Sequence, residues 1–226
     1  MERHFDDELA QLKKDLLRMA ALVEKAIQES INALTKQDIN LAKKIIEQDS
    51  KIDELELVIE EHAIGLLALR QPMARDLRFI TTGMKINSEL ERIADLAENI
   101  AQRVIELGDE PLLKPLIDIP KLAEVARGMV KSAIDSFVNQ DESLAKKVIL
   151  SDTTADALRN SINEELINDY MIVDSGTVRR AIPLLLVARH LERICDHASY
   201  IAADIIYMIK AKIVKHHPER LNNKHK

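Results

Sequence analysis

Phe5, Leu9, Leu12, Leu16, Met19, Val23, Ile27, Ile31 and Leu34 are spaced by threes and fours. That spacing predicts one amphipathic helix of about nine turns at 3.6 residues per turn. A second stripe, Leu41, Ile45, Ile52, Leu55, Ile59 and Leu66, predicts a helix from Asp38, as its N-cap, to about Leu69, with Pro72 marking its end. The third runs from about Ala74 to Leu107 on Ile86, Leu90, Ile93, Ala97, Ile100 and Val104. Gly108, Pro111, Pro115 and Pro120 then crowd a short linker, which reads as a domain boundary. Beyond it the pattern predicts helices near 121–139, 141–171 and 177–212, followed by a polar tail over 216–226 that frays. The tail histidines His216, His217 and His225 read as surface residues.

The two halves are copies. Leu41-Ala42-Lys43-Lys44-Ile45-Ile46 returns 103 positions later as Leu144-Ala145-Lys146-Lys147-Val148-Ile149, and Leu90-Glu91-Arg92-Ile93-Ala94-Asp95 returns 101 positions later as Leu191-Glu192-Arg193-Ile194-Cys195-Asp196. The second half has therefore lost two residues, and the turn near Gln71 and Pro72, against Asp174 to Gly176, is the expected place. Three amphipathic helices per half bury one stripe each. The predicted fold is all-α, a tandem repeat of two antiparallel three-helix bundles over 1–108 and 109–215.

Two acid pairs survive the duplication: Asp49/Asp53 with Asp152/Asp156, and Glu91/Asp95 with Glu192/Asp196. Carboxylates four apart sit on one helix face and repel weakly, so stability alone does not favour keeping them. At 100° per residue, Glu91, Asp95 and Asn99 fall roughly 140° to 220° from the centre of their apolar stripe, while the other pair lies roughly 70° to 120° off its own. If the second and third helices are neighbours, the pairs of one half converge on one outer face and offer oxygen ligands to hard or borderline cations. The bland alternative is that the acids are simply solvated, as Glu2/Asp6, Glu56/Glu60 and Glu165/Asp169 are expected to be, since those pairs do not recur. Arg92 and Arg193 recur as well, and either neutralise the neighbouring acids or contact a partner. Cys195 stands where Ala94 does and reads as a small buried residue; His190 and His197 align with Glu89 and Leu96 and are at most optional ligands in one half.

Composition narrows the function classes. With 3% aromatic residues, 46% hydrophobic and 31% charged, the chain suits long helices rather than sheets. Its one cysteine excludes an internal disulfide, no apolar run approaches a membrane span, and the first residues are polar and acidic, so the expectation is a soluble, cytoplasmic, reduced protein. A net charge of −6 argues against direct nucleic-acid binding. No glycine-rich phosphate loop, His-Glu-x-x-His or nucleophile with an adjacent base stands in the sequence, so no enzyme is expected.

Leu90 to Asp95 with Asn99, His190 to His197, and Gln71-Pro72-Met73-Ala74-Arg75-Asp76-Leu77-Arg78 strongly resemble the PhoU family of bacterial phosphate-uptake regulators, and the resemblance covers essentially the whole chain. It implies two three-helix bundles that hold metal ions, multinuclear iron clusters or another divalent cation, on the Glu/Asp-x-x-x-Asp faces. It implies a negative regulator that restrains phosphate uptake and represses the phosphate-starvation response. The implied partners are the ATPase subunit of the phosphate ABC importer and the membrane-bound phosphate-sensing histidine kinase, and the resemblance leaves room for a homodimer. The metal residues so implied are Asp49, Asp53, Glu91, Asp95, Asn99, Asp152, Asp156, Glu192 and Asp196, with Arg92 and Arg193 toward partners. The second motif continues to Tyr200 where Asn is common, a poorer ligand, so the second site is expected to be the weaker. A metal-free structural adaptor remains a rival reading. A di-iron carboxylate enzyme is a distant one, because it wants Glu-x-x-His on two helices and that spacing does not occur.

Overall fold

The computed structural model describes residues 2–214, with side chains from Phe5 onward, so the tail histidines and the Glu2/Asp6 pair lie wholly or partly outside the described residues. Six α-helices follow in order: α1 Glu2–Lys36, α2 Ile39–Arg70, α3 Ala74–Leu107, α4 Asp118–Asn139, α5 Glu142–Glu165 and α6 Val178–Lys210. Helices α1 to α3 pack on one another, as do α4 to α6, giving the expected pair of three-helix repeats. The duplicated turns show the same chemistry. Asp38 and Asp141 each cap the next helix by accepting a hydrogen bond from the backbone N–H of Leu41 (2.9 Å) and Leu144 (3.0 Å). Gln37 and Gln140, one residue earlier, both adopt the left-handed conformation that lets the chain reverse.

Three expectations need correction. Pro120 belongs to α4 rather than to the linker. In the first turn of a helix its missing N–H would have had no intrahelical partner, so the ring is tolerated there. The fifth α-helix ends at Glu165, and a π-helical segment, Leu166–Met171, takes over before a 3-10 turn, Ser175–Thr177, leads into α6. The corresponding exit of α2 is the plain turn 71–73, so the halves differ in shape where they differ in length.

The third correction concerns burial. One stripe per helix does not describe α3 and α6, which bury residues on both sides because the two repeats pack along them. Besides its expected stripe, α3 buries Ile80, Gly83, Asn87, Ala94, Leu96 and Ala101, and one apolar core runs through both repeats. Polar pairs cross this seam: Glu89 meets His197 Nδ1 at 2.6 Å, and Lys85 donates to Asp204 at 2.8 Å. Residue numbers rising along α3 meet numbers falling along α6, so the two central helices are antiparallel. Among the described residues no helix is long and apolar enough to cross a membrane.

Candidate metal-binding face

The acid pairs of the first repeat converge, because α2 and α3 lie side by side with Asp49 and Asp53 facing Glu91 and Asp95 across the groove. The face is half-buried rather than turned fully outward. Burial is the first cause of the raised pKa at Asp49, Glu91 and Asp95, and like charges are the next. Asp49 is pushed up to about 7 by burial, then by Glu98, Asp53 and Asp95, and it shares a hydrogen bond with Glu98. Oxygens of Asp49, Asp95 and Glu98 lie within 4.8 Å of one another. Asp49 also borders a cleft of about 180 Å³ lined by residues of α1 and α2 and by Ala94 of α3.

Two members of this face were missing from the sequence reading. Glu98 bonds Asp49, and Glu56, which the sequence pattern alone reads as a solvated acid, interacts with Asp53, Asp95 and Glu91. Each stands three residues beyond a predicted acid, Asp95 or Asp53, and so shares its helix face. Asn99 turns its amide N–H onto the carbonyl oxygen of Asp95 at 2.8 Å. Arg92 is exposed and offsets the charge of Glu91 and Asp95 only in part.

The second repeat gathers Asp152, Asp156, Glu192 and Asp196 in the same way, with Asp196 pushed up to about 6 by burial and then by Glu192 and Asp152. The two added acids of the first face have different counterparts here. At the position of Glu56 stands Arg159, which reaches Glu192 at 3.2 Å and Asp156 at 3.6 Å. Ser199 replaces Glu98 and donates to Asp152 at 3.4 Å. Tyr200 packs edge-on against His197. The first face therefore holds six carboxylates and the second four with an internal guanidinium.

Cys195 is fully buried beneath the second face, as expected, and burial with the surrounding acids pushes its thiol well up, which makes it inert as a nucleophile. The optional histidines are not drawn into either cluster. His197 is engaged by Glu89 across the seam, and His190 lies among Arg103, Arg193 and Arg189, held at about 4 chiefly by burial. Arg193 is exposed beside it.

The donor set of the first face fits hard cations. It consists of carboxylate oxygens, crowded enough that Asp49 is pushed up to about 7, and a cation would relieve the crowding. Without metal, folded Asp49 keeps a proton to about 7 that the unfolded chain releases near 3.8. This group therefore lowers stability as pH rises through that interval, and the penalty is complete above it. In chelator, Asp49→Asn is expected to melt above wild type at pH 8, with a smaller gap at pH 5 that closes only below about 3.8. An equal gap at both pH values would mean that Asp49 is not the titrating group.

A family model for the PhoU domain matches residues 16–104 and again residues 119–205. The phosphate-specific transport system accessory protein PhoU homolog of Aquifex aeolicus is 46% identical over 209 residues, 92% of this chain and 94% of that protein. Its counterpart in Zymomonas mobilis is 37% identical over 220 residues, 97% of this chain and 91% of that protein. The crystal structure of PhoU from Pseudomonas aeruginosa superposes with a TM-score of 0.88 at 35% identity, covering 92% of this chain and 100% of that one. The phosphate transport system regulatory protein PhoU from Streptococcus pneumoniae gives 0.86 at 27% identity, covering 93% and 99%.

Proposed function

This chain belongs to the PhoU family, and we propose that it is a negative regulator of phosphate uptake and of the phosphate-starvation response. It acts by contact, not by catalysis: it binds the ATPase subunit of the phosphate importer and the cytoplasmic region of the phosphate-sensing histidine kinase. The observation that carries this reading is the similarity along both repeats to proteins named as accessory to phosphate-specific transport. The surface is compatible with docking, since Leu57, Val58 and Ile64 of α2, together with Leu69 and Met73 at its exit, expose large apolar side chains.

Metal ions, iron or another divalent cation, are held on the first acidic face by Asp49, Asp53, Glu91, Asp95 and Asn99, joined by Glu56 and Glu98. There they neutralise the carboxylates and clamp α2 to α3. The second face, Asp152, Asp156, Glu192 and Asp196, carries its own cation in Arg159 and works with weaker metal binding or none. Arg92 and Arg193, exposed beside the acids, are the residues turned toward partners.

The test is calorimetric titration of the purified, metal-loaded chain into the importer's ATPase subunit and, separately, into the kinase's cytoplasmic region. Saturable binding to either, weakened about tenfold or more by Arg92→Glu with Arg193→Glu, is expected; that is a loss of roughly 1.4 kcal/mol. Absence of binding to both would remove the contact mechanism.

A further inference from the structure

The seam between the repeats opens at one end into a cleft of about 590 Å³, built by the N-terminal parts of α1 and α3 and the C-terminal ends of α4 and α6. We propose that this cleft binds a phosphoryl-bearing small anion, of a size up to a nucleotide.

The charge at the cleft is the first reason. Lys13, Arg75 and Arg78 line it, on a chain whose net charge is −6. Their hydrogen-bond partners among the described residues are neutral: Lys13 donates to the carbonyl of Val138 at 2.9 Å, Arg78 to that of Met208 at 3.1 Å, and Arg75 to the side-chain oxygen of Gln140. The nearby acids are already held elsewhere. Glu8 takes both hydrogen bonds of Arg70, and Glu142 is shared by Lys146 and Lys210. Among the described residues Asp76 is the one carboxylate in the lining, so their charges leave a surplus of positive charge there. The N-terminal end of α3, which carries Arg75 and Asp76 of the lining, adds a helix N-terminus's partial positive charge.

The duplication supplies an internal control. The opposite end of the seam has the same elements in exchanged roles, with Gln37 in place of Gln140. There the segment joining the repeats supplies the partners. Gln37 donates to the carbonyl of Glu110 at 2.6 Å, and Arg180 reaches the carbonyl of Pro111 at 3.1 Å and the carboxylate of Glu110 at 3.9 Å. One end thus receives an acid from the chain itself, and the other presents its cations to an open cleft.

Shape and walls set the ligand class. Pockets for small molecules commonly hold about 300–1,000 Å³, and a free phosphate would fill little of this one. Leu9, Phe79 and Met208 add apolar side chains to the lining. Arginine forks match phosphoryl oxygens well, so a phosphate ester with an apolar or aromatic body uses both the cations and the apolar side chains, while inorganic phosphate would use the cations alone.

The test is calorimetry on the full chain in chelator, so that no bound metal recruits the probe to the acidic faces, with ADP, inorganic phosphate and sulfate. Saturable binding of ADP or phosphate is expected, weakening as salt rises, at least tenfold weaker in Lys13→Gln with Arg75→Gln, and unchanged in Arg180→Gln. Melting curves of the variants check that they fold, and Arg75→Gln alone, at an exposed residue, serves if the double variant does not. ADP at least tenfold tighter than phosphate would assign an organic phosphate; equal affinities would assign free phosphate. The proposal is overturned by no saturable binding of either, by affinities unchanged in the Lys13 and Arg75 variants, or by sulfate binding as tightly as phosphate.

Discussion

Leu90→Ala is expected to lower the unfolding free energy by about 2–5 kcal/mol, the range for removing a buried leucine without full collapse of the cavity. Leu90 is 0% exposed at the centre of α3, the helix both repeats pack against, so little around it can move to fill the space. Its neighbours in sequence behave in the opposite way. Glu91→Ala with Asp95→Ala removes two carboxylates from a face where burial and mutual repulsion already disfavour their charges. The metal-free double variant should therefore keep its helicity and melt at or above wild type. Urea melts followed by circular dichroism decide it, and equal losses from both changes would contradict the orientation assigned to α3.

The second large effect is asymmetry in metal affinity. With manganese as a hard-cation probe, Glu91→Ala with Asp95→Ala should abolish the tightest phase, a loss of about tenfold or more, roughly 1.4 kcal/mol at least. Glu192→Ala with Asp196→Ala should leave that phase in place. The reason is the donor count: Arg159 and Ser199 occupy the second face where Glu56 and Glu98 complete the first. Arg159→Glu with Ser199→Glu should accordingly strengthen the second face. Tighter residual binding in the variant lacking Glu91 and Asp95 than in the one lacking Glu192 and Asp196 would reverse the order.

The helices were legible because each buries a stripe whose period survives in the sequence, and the Asp38 cap could be read for the same local reason. What local periodicity does not encode is how the repeats meet. The second buried side of α3 and the Glu89–His197 contact depend on α6 lying alongside, and that is a property of two distant segments. The ends of α5 and α4 were misread for smaller reasons: a π-helical turn keeps helical composition, and Pro120 sits where a helix tolerates it.

Recurrence located the acidic faces and also hid part of the first one. Asp49, Asp53, Glu91 and Asp95 stood out because their copies persist. Glu56 and Glu98 were passed over because their counterparts are Arg159 and Ser199. The lesson is chemical: after a duplication, positions that diverge beside retained ones are where the two copies acquire different charge. Tyr200 hinted at this difference, but Arg159, which places a cation within the second face, is its larger cause.

The most direct test of the regulatory role is made in cells that lack the gene, by measuring phosphate uptake and a starvation-responsive reporter in high phosphate. The chain is predicted to restore restraint of both. A variant with Asp49, Asp53, Glu91 and Asp95 changed to their amides, folded and present at the same level, is predicted to leave uptake high and the reporter on. Failure of the unaltered chain to restrain either readout, or full restraint by the amide variant, would contradict an account in which this chain controls phosphate uptake through its first acidic face.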